Sequence, residues 1–150
     1  MRIVVQRVQH ASVRVDGREI ARIGKGLLAL VAISREDTHQ DLEYMARKLL
    51  ELRIFDDADG RLNRAVGDIG GELLLVSQFT LYGDCRKGRR PSYSEAAAPD
   101  QAERLYDEFL ALVRRSLPSA QTGKFQAMMD VELVNAGPVT LILDSRGAGR

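Results

Sequence analysis

Positions 130–144 read DVELVNAGPVTLILD, and the reading of this stretch decides the fold. DVELV before the Gly137-Pro138 pair and VTLILD after it both carry the apolar, β-branched character of strands. Proline has no N–H to offer a sheet ladder, and glycine weakens a strand interior. The pattern predicts two strands, over 130–135 and 138–144, meeting at a kink. Such a kink suits a layered or barrel-like sheet better than a doubly wound one.

Upstream, residues 99–117 form an amphipathic helix, with Ala102, Leu105, Phe109, Leu112, Val113 and Ser116 on its buried side. Pro99 fits the first turn and Pro118 stops it. GELLLVSQFTLYG (71–83) reads as one apolar strand, preceded by the polar, glycine-bearing loop DDADGRLNRAVGDIGG. LRIF (52–55) is a short strand. Residues 38–52 place Leu42, Met45, Ala46, Leu49 and Leu50 on one helical stripe, with Asp37 and Thr38 as candidate N-caps. GLLALVAI (26–33) is a continuous apolar run that fits a strand buried on both faces. Asp16-Gly17 between two alternating segments signals a hairpin, and MRIVVQRVQ reads as a separate first strand. The expected order is four strands, a helix, two strands, a helix and two strands. This is one mixed α/β domain over 1–150, with two helices covering a layered, barrel-like sheet.

The totals narrow the class. No apolar run approaches the roughly 18 residues of a membrane span, and the N-terminal stretch carries charges where a signal peptide would not. A single cysteine, Cys85, leaves no internal disulfide to form, so a cytoplasmic protein without a membrane is expected. The net charge of +1 conceals an asymmetry: residues 1–35 hold 7 bases against 2 acids, and 36–75 hold 5 against 10. A basic N-terminal third suits either contact with a polyanion or the wet face of strands.

Few residues offer chemistry. His10 and His39 are far apart and Cys85 has no companion, so no metal set is expected. GDCRKGRRPSY (83–93) concentrates Arg86, Lys87, Arg89 and Arg90. It suits phosphate contact or a solvated turn. A cysteine-phosphatase loop is excluded, since Pro91 stands where its arginine must. In SQFTL (77–81), alternation would set Ser77, Phe79 and Leu81 on one face and Gln78 and Thr80 on the other. No histidine is close in sequence to serve a serine triad.

Taken together, SQFTL at 77–81 and NAGPVT at 135–140 resemble the D-aminoacyl-tRNA deacylase family, formerly the D-tyrosyl-tRNA deacylases. The likeness extends to MRIVVQRVQHASV, to GDCRKGRRPSY and to the length of the chain. It implies hydrolysis of the ester joining a D-amino acid to the terminal ribose of tRNA, and action on glycine mischarged onto tRNA. It further implies a homodimer with active sites at the interface, and no metal or organic cofactor.

An X-Pro bond is ordinarily trans. The resemblance instead implies a cis Gly137-Pro138 in the partner subunit's active site. There, backbone selects chirality by leaving no room for an L-side Cβ. Ser77 and Gln78 would orient substrate, while the Phe79 and Thr80 N–H groups would stabilise an oxyanion. Thr80 as a nucleophile is the alternative, without a visible base, and the attacking group is water or the tRNA 2′-hydroxyl. Arg86, Lys87, Arg89 and Arg90 would meet tRNA. A non-catalytic RNA-binding module built on the 83–93 loop is the competing class, weakened by an aromatic content of 5%.

Overall fold

A computed structural model describes residues 1–146, so the last four positions of the expected 1–150 domain lie outside the described residues. The elements are β1 (Arg2–Val15), β2 (Arg18–Ile23), β3 (Gly26–Ala32), α1 (His39–Glu51), β4 (Phe55–Asp56) and β5 (Leu62–Arg64). They continue with β6 (Glu72–Ser77), α2 (Pro99–Ser116), β7 (Gln121–Thr122) and β8 (Met129–Asp144). Two short 3-10 helices, Gly67–Ile69 and Phe79–Tyr82, flank β6. The expected mixed α/β class with a barrel-like sheet and two helices is the one observed.

Three strands precede α1, not four, because MRIVVQRVQ and the first hairpin arm are one strand. β8 takes one edge of β1 from Arg2 to Val15. On the other edge, β3 pairs with residues 2–8 and β2 with residues 11–15. A strand this long can satisfy three neighbours only by serving two layers, and its halves enter two cores. Ile3 and Val5 join the core beneath the helices, whereas Val8, Ala11 and Val13 join a second cluster with Ala21 and Ile23.

β3 and β6 run parallel, as do β6 and β7, and the remaining pairings in this sheet are antiparallel. Leu27, Ala29, Val31, Leu73 and Leu75 face the helices, while Leu28, Leu74 and Val76 face the second cluster. Burial on both faces explains the unbroken apolar run.

Local expectations needed several corrections. The N-cap of α1 is Thr38, whose N–H donates to Asp41 Oδ2 at 2.9 Å. Asp37 is instead buried against the α-ammonium of Met1 and accepts from the Ser34 N–H at 2.6 Å. On α2 the stripe turns slightly from the expected one: Tyr106 and Leu110 are buried, while Leu112 is half-buried and Ser116 exposed. Short β4 begins at Phe55 and pairs with β5, a strand inside the presumed loop.

The expected strand 71–83 stops at Ser77. The Gln78 N–H still donates to Val31 O at 2.7 Å, but β3 ends at Ala32 and offers no further partner. The backbone then closes on itself, with Leu81 N–H donating to Gln78 O at 3.2 Å and Gly83 N–H to Thr80 O at 2.9 Å. Strand alternation therefore does not apply to Phe79, Thr80 and Leu81.

The two strands expected at the C-terminus are one. β8 keeps its pairing with β1 through Gly137-Pro138, which is a cis peptide. Gln6 pairs with Thr140 and Val8 with Asn135, so residues 136–139 stand opposite Arg7 alone. The unfavourable pair does not end the strand. It is looped out of the ladder.

Candidate active site

At the carboxyl ends of parallel β3 and β6, where open sheets commonly receive ligands, an open cleft of about 940 Å³ is lined by Ser77, Gln78 and Phe79. Its facing wall comes from residues 93–99 and 125–129. The first of these walls is tied down by the Ser34–Ala96 bridge and by the Ala97 N–H donating to Ile33 O at 3.0 Å. Phe79, 56% exposed, meets Tyr93 edge-on with centroids 5.1 Å apart. Tyr106 forms part of the lining; burial pushes its hydroxyl up to about 12, despite a 2.8 Å hydrogen bond with Thr122 Oγ1.

The 3-10 turn Phe79–Tyr82 follows directly on Ser77 and Gln78. The Leu81 N–H bonds back to Gln78 O and closes the turn; the leading N–H groups of a helical turn have no partner within it. The Gln78 side-chain amide donates to Thr80 Oγ1. Neither His10 nor His39 lines the cleft. Arg2 holds the turn from behind, donating from Nη1 to Leu81 O at 2.9 Å and from Nε to Asp144 Oδ2 at 3.0 Å. Burial would raise Asp144, but the Arg146 N–H and Arg2 together hold it below the ordinary carboxylate range.

The basic loop closes through paired hydrogen bonds between Asp84 and Ser92, of 2.7 and 3.0 Å, and delivers Tyr93 to the cleft. Its four cations are not equivalent. Arg86 is bound to Asp84 at 2.9 and 2.7 Å, and this holds the carboxyl down to about 2. Lys87, Arg89 and Arg90 are exposed and make no ion pair among the described residues.

Gly137 lies elsewhere in the chain. It borders a second hollow, of about 530 Å³, that shares no lining residue with the cleft. Thr80 and Pro138 line neither. The looped-out segment is braced from both sides. Arg7 donates from Nε to Ala136 O at 3.2 Å, from Nη2 to Gly137 O at 3.4 Å and from Nη1 to Ile54 O at 2.9 Å. Asn135 Nδ2 donates to Arg7 O at 2.9 Å and Val139 O at 3.1 Å. A Cβ built on Gly137 would meet nothing within 4 Å. No described neighbour therefore obstructs a side chain there.

Sequence reasoning missed Arg2, Arg7 and Tyr93 as parts of these sites. The two arginines carried only the signal of a basic N-terminus, since their partners lie 79 and 129 residues away.

Fold and cleft define a class: mixed α/β proteins with a barrel-like sheet, two helices and a cleft at the carboxyl ends of parallel strands. Within it, the chain belongs to the D-Tyr-tRNA(Tyr) deacylase family, whose model matches residues 4–144. D-aminoacyl-tRNA deacylases of Clostridium acetobutylicum and Desulfatibacillum aliphaticivorans are 53% and 56% identical to it over 97% of this chain, and 98% and 100% of theirs.

Among solved structures, one titled c-Myc DNA Unwinding Element Binding Protein superposes with a TM-score of 0.91 at 44% identity, covering 96% of this chain and 98% of its own. A probable eukaryotic D-amino acid tRNA deacylase shares the fold, with a TM-score of 0.82 at 20% identity, covering 95% and 97%. Relatives so named are hydrolases acting on aminoacyl-tRNA, and membership sets aside the reading as a non-catalytic RNA-binding module.

Proposed function

We propose that this protein hydrolyses the ester of D-aminoacyl-tRNA, and of glycine mischarged onto tRNA, as a cytoplasmic homodimer in which Gly137-Pro138 of one subunit enters the partner's cleft. The observation that carries the dimeric reading is the separation of the two sites: Ser77–Phe79 and Gly137 border different hollows of one chain. Only a second copy can bring them together. Large apolar side chains remain exposed on the single chain, with Phe79, Met128, Val134 and Ile142 at 56%, 91%, 45% and 69%.

The proposed chemistry is positioning. An aminoacyl ester is already activated, so holding its carbonyl against the Phe79 and Thr80 N–H groups stabilises the negative oxygen of the tetrahedral intermediate. Water or the 2′-hydroxyl attacks the carbonyl carbon, the bond to the ribose oxygen breaks, and that oxygen takes a proton. After attack by the 2′-hydroxyl, the transferred ester still requires water to release the amino acid. Ser77 and Gln78 orient the substrate, and Thr80 serves through its backbone. Lys87, Arg89 and Arg90 meet tRNA phosphates, with Arg86 restrained by Asp84. The carbonyl-rich segment around Gly137 excludes an L-side Cβ while admitting D-residues and glycine.

Incubation with D-Tyr-tRNA, Gly-tRNA and L-Tyr-tRNA tests the reading. The first two should lose their amino acid and the third should keep it. Equal hydrolysis of L-Tyr-tRNA would remove the chiral selector, and a monomer in sedimentation at the working concentration would remove the shared site.

A further inference from the structure

The hollow beside Gly137 differs in chemistry from the cleft. Its rim carries Lys25, Arg64 and Arg7 against one carboxylate, Asp56. Arg7 is committed to three carbonyl oxygens, and its Nη1 lies 3.7 Å from Asp56 Oδ1, so these two opposite charges largely answer one another. The Arg64 guanidinium donates to Asp68 O, a neutral partner that leaves its charge uncompensated. Lys25 and Arg64 are exposed and make no ion pair among the described residues. Two free cations thus face a polar recess of about 530 Å³, a size that accommodates a ligand group.

From this we infer that the recess lined by Lys25 and Arg64 is a second phosphate-binding subsite for the tRNA substrate, separate from the 83–93 loop. The inference rests on the deacylase reading above. Gly137, against which that reading holds the aminoacyl end, is part of the wall of this recess, so the recess lies within reach of the terminal phosphates. A phosphodiester has no apolar surface to bury and suits a site with free cations and polar walls. Contacts of this kind position an RNA without reading its sequence.

The experiment compares wild type with a Lys25→Gln, Arg64→Gln double variant on two substrates: D-Tyr-tRNA, and D-tyrosyl-adenosine, which has no phosphate. For D-Tyr-tRNA, KM should rise several-fold in the variant. The dependence of kcat/KM on salt should flatten by about 1 in log–log slope for each cation removed. Kinetics on D-tyrosyl-adenosine should not change. An unchanged KM and salt slope on D-Tyr-tRNA would overturn the inference while leaving the deacylase reading intact. Equal losses on both substrates would also overturn it, by assigning the residues to the fold. Failure of wild type to hydrolyse D-Tyr-tRNA would sink the deacylase reading itself.

Discussion

Arg2 Nη1 donates to the carbonyl oxygen of Leu81 at 2.9 Å, so the second residue of the chain fastens the turn that carries the proposed oxyanion donors. The same guanidinium grips Asp144 and lies 5.0 Å over the Tyr82 ring. Arg2→Ala should therefore lower kcat on D-Tyr-tRNA more than it changes KM, with a stability loss of about 1 kcal/mol, small because the pair is partly solvated. Arg2→Lys should recover part of the stability and little of kcat, since an ammonium cannot reproduce the planar fork. Steady-state kinetics beside urea unfolding check both, and an Arg2→Ala enzyme with normal kcat would detach this anchor from catalysis.

Arg7 is the corresponding anchor of the Gly137 segment. Arg7→Ala leaves Ile54 O, Ala136 O and Gly137 O without their donor. The first two bonds are part-buried, and a buried acceptor without a partner costs on the order of 1–3 kcal/mol, whereas the exposed Gly137 O can turn to water. The expected result is a lower urea midpoint. Rejection of L-Tyr-tRNA should also weaken, because a segment free to shift is a poor steric gate. Selectivity retained in a folded Arg7→Ala protein would show that the segment holds its shape without Arg7.

Gly137→Ala separates fold from function. The added methyl meets nothing within 4 Å in the chain, so thermal unfolding of the subunit should be nearly unchanged. That departs from the stability loss which a strand-breaking bend leads one to expect. Activity on D-Tyr-tRNA and Gly-tRNA should nevertheless fall together, because the proposed function sets this methyl against the substrate's α-carbon. Normal activity with normal rejection of L-Tyr-tRNA would take Gly137 out of the mechanism.

His39 links α1 to α2 through an ion pair with Glu108, and pairs within α1 with Glu43 at 3.1 Å. The Glu108 hydrogen bond chiefly, assisted by Glu43 and opposed by desolvation, raises its pKa above the ordinary 6.5. A raised folded-state pKa means that the stabilisation is fully present below 6.5 and is lost as pH climbs through the higher folded value. The difference in melting temperature between wild type and His39→Gln should accordingly be larger below pH 6.5 than at the alkaline end of the profile, shrinking as pH rises through the raised folded value. A difference independent of pH would assign the effect to packing.

Much of the architecture was legible because it is written in local periodicity. The Leu42–Leu49 stripe, the Pro99 start, the Asp16-Gly17 turn and the doubly buried run at 26–33 each depend on residues a few positions apart. Errors gathered where an element's extent depends on a distant partner. β6 ends at Ser77 because β3 ends at Ala32, and β8 survives Gly137-Pro138 because β1 continues alongside it. The motif residues were found by resemblance rather than by chemistry, since neither SQFTL nor NAGPVT carries an acid–base pattern that physics alone would single out.

By itself the sequence determined the class of fold, the two helices, the core-facing positions and the two motifs, because periodicity and turn chemistry are properties of neighbours along the chain. Only the tertiary structure decided that Phe79 and Thr80 lie on a turn and not on a strand face. It also decided that Arg86 is neutralised by Asp84, that Arg2 and Arg7 anchor the two motifs, and that those motifs border separate hollows. Each of these is settled by hydrogen bonds and pairings that exist only once the strands lie side by side. The register of β8 on β1, which sets four residues opposite Arg7, depends on the whole sheet and on no single segment of it.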